Sequence, residues 1–260
     1  CYIKDVKEPT TAEIRSMSDK QQVEGPLYYK HKKHWKGQLP KSLIESIRCY
    51  YLANAIRDLD EKQFDAPRTM LVNISRFVNV HTYLKKEIAA IVDADYKEIR
   101  VNFSKIQDRN IGNDLYDELH RLFDIHYANC GYTWEQVGQR EVLLKWESDK
   151  DRKAIRVIVV NGTKESREEA PDYKKYPSWR VIAVGGLALS RGLTLKGLMT
   201  SYFYRNTCTY DVLMQMGRWF GFRPKYADLC RVFITDNIYR WFARIAFATD
   251  NLRDQITYMC

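Results

Sequence analysis

Five short apolar runs, separated by stretches of helical periodicity, constrain the fold of this chain more than any other feature. Each run is rich in aliphatic or aromatic residues and is followed by polar residues or glycine. Such runs are typical of strands in a parallel sheet with helices on both faces. The runs are residues 69–75, 155–160, 180–184, 199–204 and 229–234. Because they alternate with helical segments, the sequence predicts an α/β fold with a parallel sheet and right-handed crossovers.

Helical periodicity predicts the remaining organisation. Apolar residues recur at helical spacing from Pro40, which suits a first helical turn, to about Leu59. A second helix is predicted after the first run, with Asn79 as its N-cap. Residues 93–151 are rich in charge and carry apolar residues at helical spacing, which predicts a helical insertion. The predicted parts are an N-terminal basic segment over 1–38, a main lobe over 39–240 that contains the insertion, and a C-terminal helix over 241–260.

The charge of the chain favours a polyanionic partner. Its 42 Lys and Arg residues exceed its 33 Asp and Glu residues, for a formal net charge of +9. DNA or RNA would bind such a surface through phosphate contacts, although an ordinary basic surface gives the same count. Cations cluster at Lys32, Lys33 and Lys36 around Trp35. Aromatic rings among cations can stack on unpaired bases, and a solvated loop is the alternative.

Several classes of protein are excluded by the sequence. No apolar run approaches the roughly 18 to 20 residues of a membrane-spanning helix, so we expect a soluble, cytoplasmic protein. The six cysteines are scattered without a C-x-x-C pair, which argues against a structural metal or disulfide framework. Because the chain begins at Cys1 and ends at Cys260, we expect further domains of the same protein beyond it.

Polar residues and glycines follow the predicted strands, where open parallel sheets bind their ligands. The first candidate segment begins with Gly185 and Gly186, which let a backbone approach a ligand closely. Its later hydroxyl and guanidinium groups suit phosphate oxygens, although a tight strand-to-helix turn is the alternative. No Gly-Lys-Ser/Thr follows, so this is not a Walker A loop. The candidate nucleotide-binding residues are Gly185, Gly186, Ser190, Arg191, Gly192 and Thr194.

The second candidate segment contains two arginines and a glutamine. Gln215 and Arg218 are three residues apart and share one side of a predicted helix, which Pro224 ends beyond Arg223. Two guanidinium groups suit the charge that develops on a transferring phosphoryl group, because each donates two parallel hydrogen bonds. The alternative is an ordinary pair of surface arginines next to acidic residues. Gln215, Arg218 and Arg223 are therefore the candidate catalytic residues.

In this order, residues 184–194 and 210–224 resemble motifs V and VI of superfamily 2 helicases. They more closely resemble the Z1 domain, a bacterial family linked to endonuclease activity and to restriction and defence systems. The likeness extends from about Leu39 to Arg240 and includes residues 70–77 as the opening strand. It implies a RecA-like lobe, of the P-loop NTPase type, that closes over ATP and Mg²⁺ held mainly by an N-terminal ATPase lobe of the same protein.

The resemblance also implies roles for individual residues. Arg218 and Arg223 would be arginine fingers, Gln215 would position them or the attacking water, and residues 190–194 would contact nucleotide and nucleic acid together. Thr194 stands where motif V commonly has an acidic residue. The spacing of the glycines and arginines in the second motif differs by one residue from the helicase pattern, so either Arg218 or Arg223 could be the arginine finger. The basic cluster and the polar end of the first strand, rather than the resemblance, give the candidate contacts to DNA or RNA: Lys32, Lys33, Lys36, Ser75 and Arg76.

Two other functions remain as alternatives. One is a non-hydrolytic RecA-like module that binds DNA. The other is a DNA endonuclease domain, which would require two or three carboxylates and a lysine at one site. The charged runs at 60–62, 149–151 and 171–172 are more typical of solvated loops, and no metal ligands are predicted. On the leading interpretation, the isolated chain does not hydrolyse ATP, because the phosphate-binding loop lies elsewhere.

Overall fold

A computed structural model of the chain describes residues 2–5, 10–25, 27, 31–60, 66–109, 113–145, 155–161, 163, 169, 172–186, 195–204 and 225–259. The strands are β1 Tyr2–Asp5, β2 Arg68–Asn73, β3 Arg156–Val160, β4 Arg180–Gly185, β5 Leu198–Phe203 and β6 Arg231–Ile234. The helices are α1 Thr11–Ser16, α2 Asp19–Glu24, α3 Lys41–Leu59, α4 Val78–Arg109, α5 Asp114–Tyr127, α6 Trp134–Val137, α7 Arg140–Leu143 and α8 Asp236–Met259. None of the helices described is long and apolar enough to cross a lipid bilayer.

The described strands form one six-stranded sheet in the order β1-β6-β5-β2-β4-β3. Every pairing is parallel, which confirms the predicted α/β fold with a parallel sheet flanked by helices. The five predicted runs correspond to β2 to β6, whereas β1 was not predicted. β1 pairs with β6 at one edge of the sheet. Strand β2 lies at the centre, between β4 and β5.

Helices α3 to α7 cover one face of the sheet, which we call the α3 face. Helix α3 spans the predicted region and is buried on nearly all sides, as expected for a helix between a sheet and further helices. Helix α4 has 32 residues, and its apolar positions continue every three or four residues without a break. It therefore crosses the predicted start of the insertion at residue 93. Asn79 is its second residue rather than its N-cap.

The helices of the predicted insertion share a core with the sheet. Leu119 and Leu122 of α5 and Trp134 of α6 belong to the same buried cluster as Val72 of β2. Within the described residues, the region 93–145 therefore packs as part of the layer on the α3 face. A second buried cluster, with Leu71 of β2, lies on the opposite face.

Helix α8 packs against this second cluster, so we call that face the α8 face. It begins at Asp236, and Ile238, Trp241 and Phe242 contact the cluster. The helix therefore starts five residues before the predicted C-terminal helix at 241. Its later apolar side chains leave the sheet: Phe247 is 69% exposed.

A buried ion-pair network lies at the edge where the strands begin, which we call the amino edge. Asp58, at the end of α3, accepts hydrogen bonds from Arg68 of β2 and from Arg180 of β4, the latter at 2.8 and 2.7 Å. All three side chains are at most 2% exposed. Burial lowers the pKa of Arg68 to about 10, and Asp58 opposes that shift. Tyr50 joins the same strands, because its hydroxyl donates to Arg68 O and accepts from Val181 N.

Replacing Asp58 should destabilise the fold strongly. Asp58→Ala leaves two buried guanidinium groups without their carboxylate, and we expect a loss of about 3 to 5 kcal/mol in the free energy of unfolding. The matched control is Asp250→Ala, which breaks an exposed ion pair with Arg253 and should cost about 1 kcal/mol or less. Urea denaturation of both variants measures the difference, and equal effects would show that the network does not stabilise the sheet.

Candidate functional site

The carboxyl ends of three neighbouring strands meet at the centre of the sheet. Val72 of β2 pairs with Val184 of β4 on one side and with Tyr202 of β5 on the other. The edge at which these strands end, the carboxyl edge, therefore brings Gly185 and Asn73 to neighbouring positions. Residues 187–194 follow β4 in the chain, and residues 205–224 follow β5. The two predicted motifs thus begin from strands that flank β2.

The structure places only some of the predicted site residues. Gly185, Gly186, Ser75, Arg76 and the three lysines are described, and all of them are at or near the carboxyl edge. The remaining candidates fall outside the described residues: Ser190, Arg191, Gly192, Thr194, Gln215, Arg218 and Arg223.

Ser75, two residues beyond β2, contacts both the segment at His31 and the start of α4. Its Oγ lies 2.8 Å from Nε2 of His31 and accepts a hydrogen bond from Phe77 N at 3.0 Å. Its carbonyl oxygen lies 2.8 Å from Nε2 of His81, and a carbonyl only accepts, so His81 donates from that nitrogen. Ser75 is 1% exposed. It therefore holds neighbouring segments together rather than offering its hydroxyl to solvent.

Gly186 packs directly against Ser75 and His81. A Cβ atom at this position would lie 3.0 Å from the Ser75 carbonyl oxygen and 3.4 Å from Cε1 of His81. The oxygen is held by the His81 hydrogen bond and has little freedom to move. The first residue after β4 is thus a glycine because the backbone of the β2 turn approaches it closely.

Residues 31–37, which we call the lysine segment, are fastened along the start of α4. Trp35 is 1% exposed, donates from Nε1 to Gly25 O at 3.1 Å and contacts the Tyr83 ring edge-on. The Tyr83 hydroxyl donates to the carbonyl oxygens of Lys36 and Gly37, at 3.1 and 3.0 Å. The Trp35 ring is therefore an anchor and is not available to stack on bases.

The cations of the lysine segment face outward. Lys32, Lys33 and Lys36 are exposed, and Lys32 forms an exposed ion pair with Asp19 at 3.5 Å. Arg76, next to Ser75, is also exposed. The hydrogen bond between His31 and Ser75 brings these two predicted sets together across 44 residues of sequence. Sequence reasoning missed His31 and His81, because no local pattern pairs either histidine with Ser75.

Asn73, the last residue of β2, has a buried carboxamide without hydrogen-bond partners among the described residues. It is 0% exposed, and within the described residues neither its carboxamide oxygen nor its nitrogen has a hydrogen-bond partner. Val72 and Ile74 belong to the cluster on the α3 face. Since side chains alternate along a strand, Asn73 faces the opposite side with Leu71. An unpaired buried amide is unfavourable, so its presence requires an explanation.

Gly186→Ala should destabilise the protein by about 1 to 3 kcal/mol, because the new methyl group meets backbone that cannot easily shift. Removing the opposing ring with His81→Ala should relieve part of this strain. A double-mutant cycle measured by thermal or urea unfolding would therefore give a smaller effect of Gly186→Ala in the His81→Ala background. Strictly additive effects would contradict the close packing of these residues.

Comparison with protein families gives one match, and it covers most of the chain. The family model for the Z1 domain matches residues 42–260. Neither the curated proteins nor the solved structures contain a significant match. The matched region includes strands β2 to β6, the turn at Ser75 and both candidate motifs. This chain belongs to the Z1 domain family.

Proposed function

We propose that this chain is the second, RecA-like lobe of a nucleic-acid-dependent NTPase of the helicase type. In this proposal it supplies arginines to a nucleotide held mainly by a first lobe, and it contacts DNA or RNA with its basic surface. The whole protein would use ATP to remodel DNA in restriction or defence. The proposal rests on motif resemblance and on the geometry of the carboxyl edge.

One observation carries the proposal. The strands that precede the two candidate motifs, β4 and β5, flank β2, and the lysine segment is fastened to the end of β2 through His31 and Ser75. Residues suited to phosphoryl chemistry and cations suited to nucleic acid are therefore connected to one edge of the sheet. This is the edge at which open parallel sheets bind their ligands.

The nucleotide chemistry is assigned to the second motif. A guanidinium group of Arg218 or Arg223 would stabilise charge on the γ-phosphoryl oxygens through two parallel hydrogen bonds, and Gln215 would orient the arginine or the water. Mg²⁺, assigned to the first lobe, would neutralise charge on the β- and γ-phosphates. In the part of this chain that is described, no group of three His, Cys, Asp or Glu residues could hold a metal ion.

The nucleic-acid contact is assigned to Lys32, Lys33, Lys36 and Arg76, which are all exposed. Their two segments are joined by the contact between His31 and Ser75. Because the Trp35 ring is buried, this surface favours contacts to the phosphate backbone over stacking on bases. Binding through phosphates is largely independent of base sequence and weakens steeply with salt.

Neutralising the lysine segment should flatten the salt dependence of DNA binding. The triple variant Lys32→Gln, Lys33→Gln and Lys36→Gln should reduce the slope of log K against log [salt] by up to about 2 to 3. The matched control removes the same charge near the amino edge, with Lys174→Gln, Lys175→Gln and Lys196→Gln, which are also exposed. Fluorescence anisotropy at several salt concentrations measures both slopes, and equal slopes for the two variants would refute the assigned surface.

The arginine fingers are tested in the complete protein. Arg218→Ala should lower kcat for ATP hydrolysis by about 10³-fold with little change in stability, and Arg218→Lys should restore little, because a lysine cannot donate the paired hydrogen bonds. Arg223→Ala is measured beside it, with the exposed Arg253→Ala on α8 as control. Full ATPase activity in both the Arg218→Ala and Arg223→Ala variants would rule out the proposed function.

A further inference from the structure

We propose that the Asn73 carboxamide is a nucleotide-dependent hydrogen-bonding group that couples the end of β2 to a bound nucleoside triphosphate. This inference rests on the proposed function and deepens it, because neither the motif resemblance nor the family match assigns a role to Asn73. Its carboxamide would form its hydrogen bonds when nucleotide binds at the carboxyl edge. Asn73 is thus a positioning residue rather than a catalytic one.

The position of Asn73 selects it from the other buried polar residues of the sheet. It ends the central strand, and its neighbours are Phe203 of β5, with which it pairs, and Gly185 of β4, which has no side chain. Its backbone oxygen accepts a hydrogen bond from Tyr204 N at 3.0 Å, so the main chain is held in place. The carboxamide is thereby fixed between the two strands from which the candidate motifs continue.

The orientation of Asn73 favours a nucleotide over a nucleic acid as the ligand. The lysine segment lies on the α3 face, where Trp35 shares a buried cluster with Val72 and Ile74. Because side chains alternate along a strand, the Asn73 side chain faces the α8 face, as does Leu71. The two sides of one strand end are therefore chemically different: exposed cations on one side, and a buried amide on the other. Only the amide side faces away from the proposed nucleic-acid surface.

The Asn73 carboxamide is already buried in the absence of nucleotide. A carboxamide carries two donor hydrogens and one acceptor oxygen, and in the described chain both polar atoms of Asn73 are without partners. An apolar residue of similar size would be more favourable here if the amide never formed hydrogen bonds. A ligand that forms hydrogen bonds with the carboxamide removes the free-energy cost of burying its unpaired polar atoms, and the affinity of the ligand is higher for that reason.

The experiment compares Asn73→Leu and Asn73→Val with Thr200→Val in the complete protein. Thr200 is a matched control, because its Oγ1 is also buried and unpaired within the described residues but lies early in β5, opposite Met70. The probes are the β,γ-imido analogue of ATP with Mg²⁺, measured by calorimetry, and a duplex DNA, measured by anisotropy. Melting temperatures report the stability of each variant.

We expect all three substitutions to raise the melting temperature slightly. At least one Asn73 variant should bind the nucleotide about 10-fold more weakly, while Thr200→Val binds it normally and no variant changes DNA binding. Unchanged nucleotide binding in both Asn73 variants, a loss confined to DNA binding, or lower stability in both variants would each overturn the inference. Those results would leave the proposed function standing if Arg218→Ala still abolishes turnover. Absence of nucleotide binding by the unaltered protein would refute both.

Discussion

The ion-pair network of Asp58 with Arg68 and Arg180 fixes the first residues of β2 and β4 against the end of α3. Because the two strands are parallel and in register from these residues, fixing their beginnings also fixes where they end. The turn at Ser75 and the close approach of Gly186 depend on that register. A shift by one residue would exchange the side chains on the two faces of the strand and turn Asn73 toward α4.

The two edges of the sheet are chemically different. At the amino edge, the buried arginines are paired within the fold: Arg68 and Arg180 with Asp58, and Arg231 with the carbonyl oxygens of residues 126, 228 and 230. Lys174, Lys175 and Lys196 are exposed near this edge. At the carboxyl edge, the exposed lysines face outward and the Asn73 amide has no partner among the described residues. Charge that is used internally stabilises the protein, whereas charge and hydrogen-bonding groups left unused are suited to a ligand. Since exposed lysines occur near both edges, the feature that favours the carboxyl edge is the buried Asn73 carboxamide between the strands that lead into the two motifs.

The strands of the central sheet could be predicted because their apolar runs are buried on both faces and end in polar residues. Strand β1 could not be predicted, because its two apolar residues are followed by two charged ones, which gives neither an apolar run nor an alternating pattern. Its pairing partner β6 lies at the other end of the sequence. The side-chain contact between His31 and Ser75 could not be predicted either, because it joins residues 44 positions apart in the sequence. The burial of Trp35 had no local signal, as its anchor is Gly25 and its ring partner belongs to α4. The roles assigned to Arg218 and Arg223 stay predictions.

The central claim is that nucleotide and nucleic acid both bind at the carboxyl edge. Hydrogen-deuterium exchange of the complete protein, with and without the β,γ-imido analogue of ATP and a duplex DNA, tests it most directly. The account predicts slower exchange at amides 73 and 186 with nucleotide, slower exchange at amides 32–37 and 76 with DNA, and no change at amides 172–176, 178 and 179 near the amino edge. Protection at 172–179 with none at the carboxyl edge would contradict it.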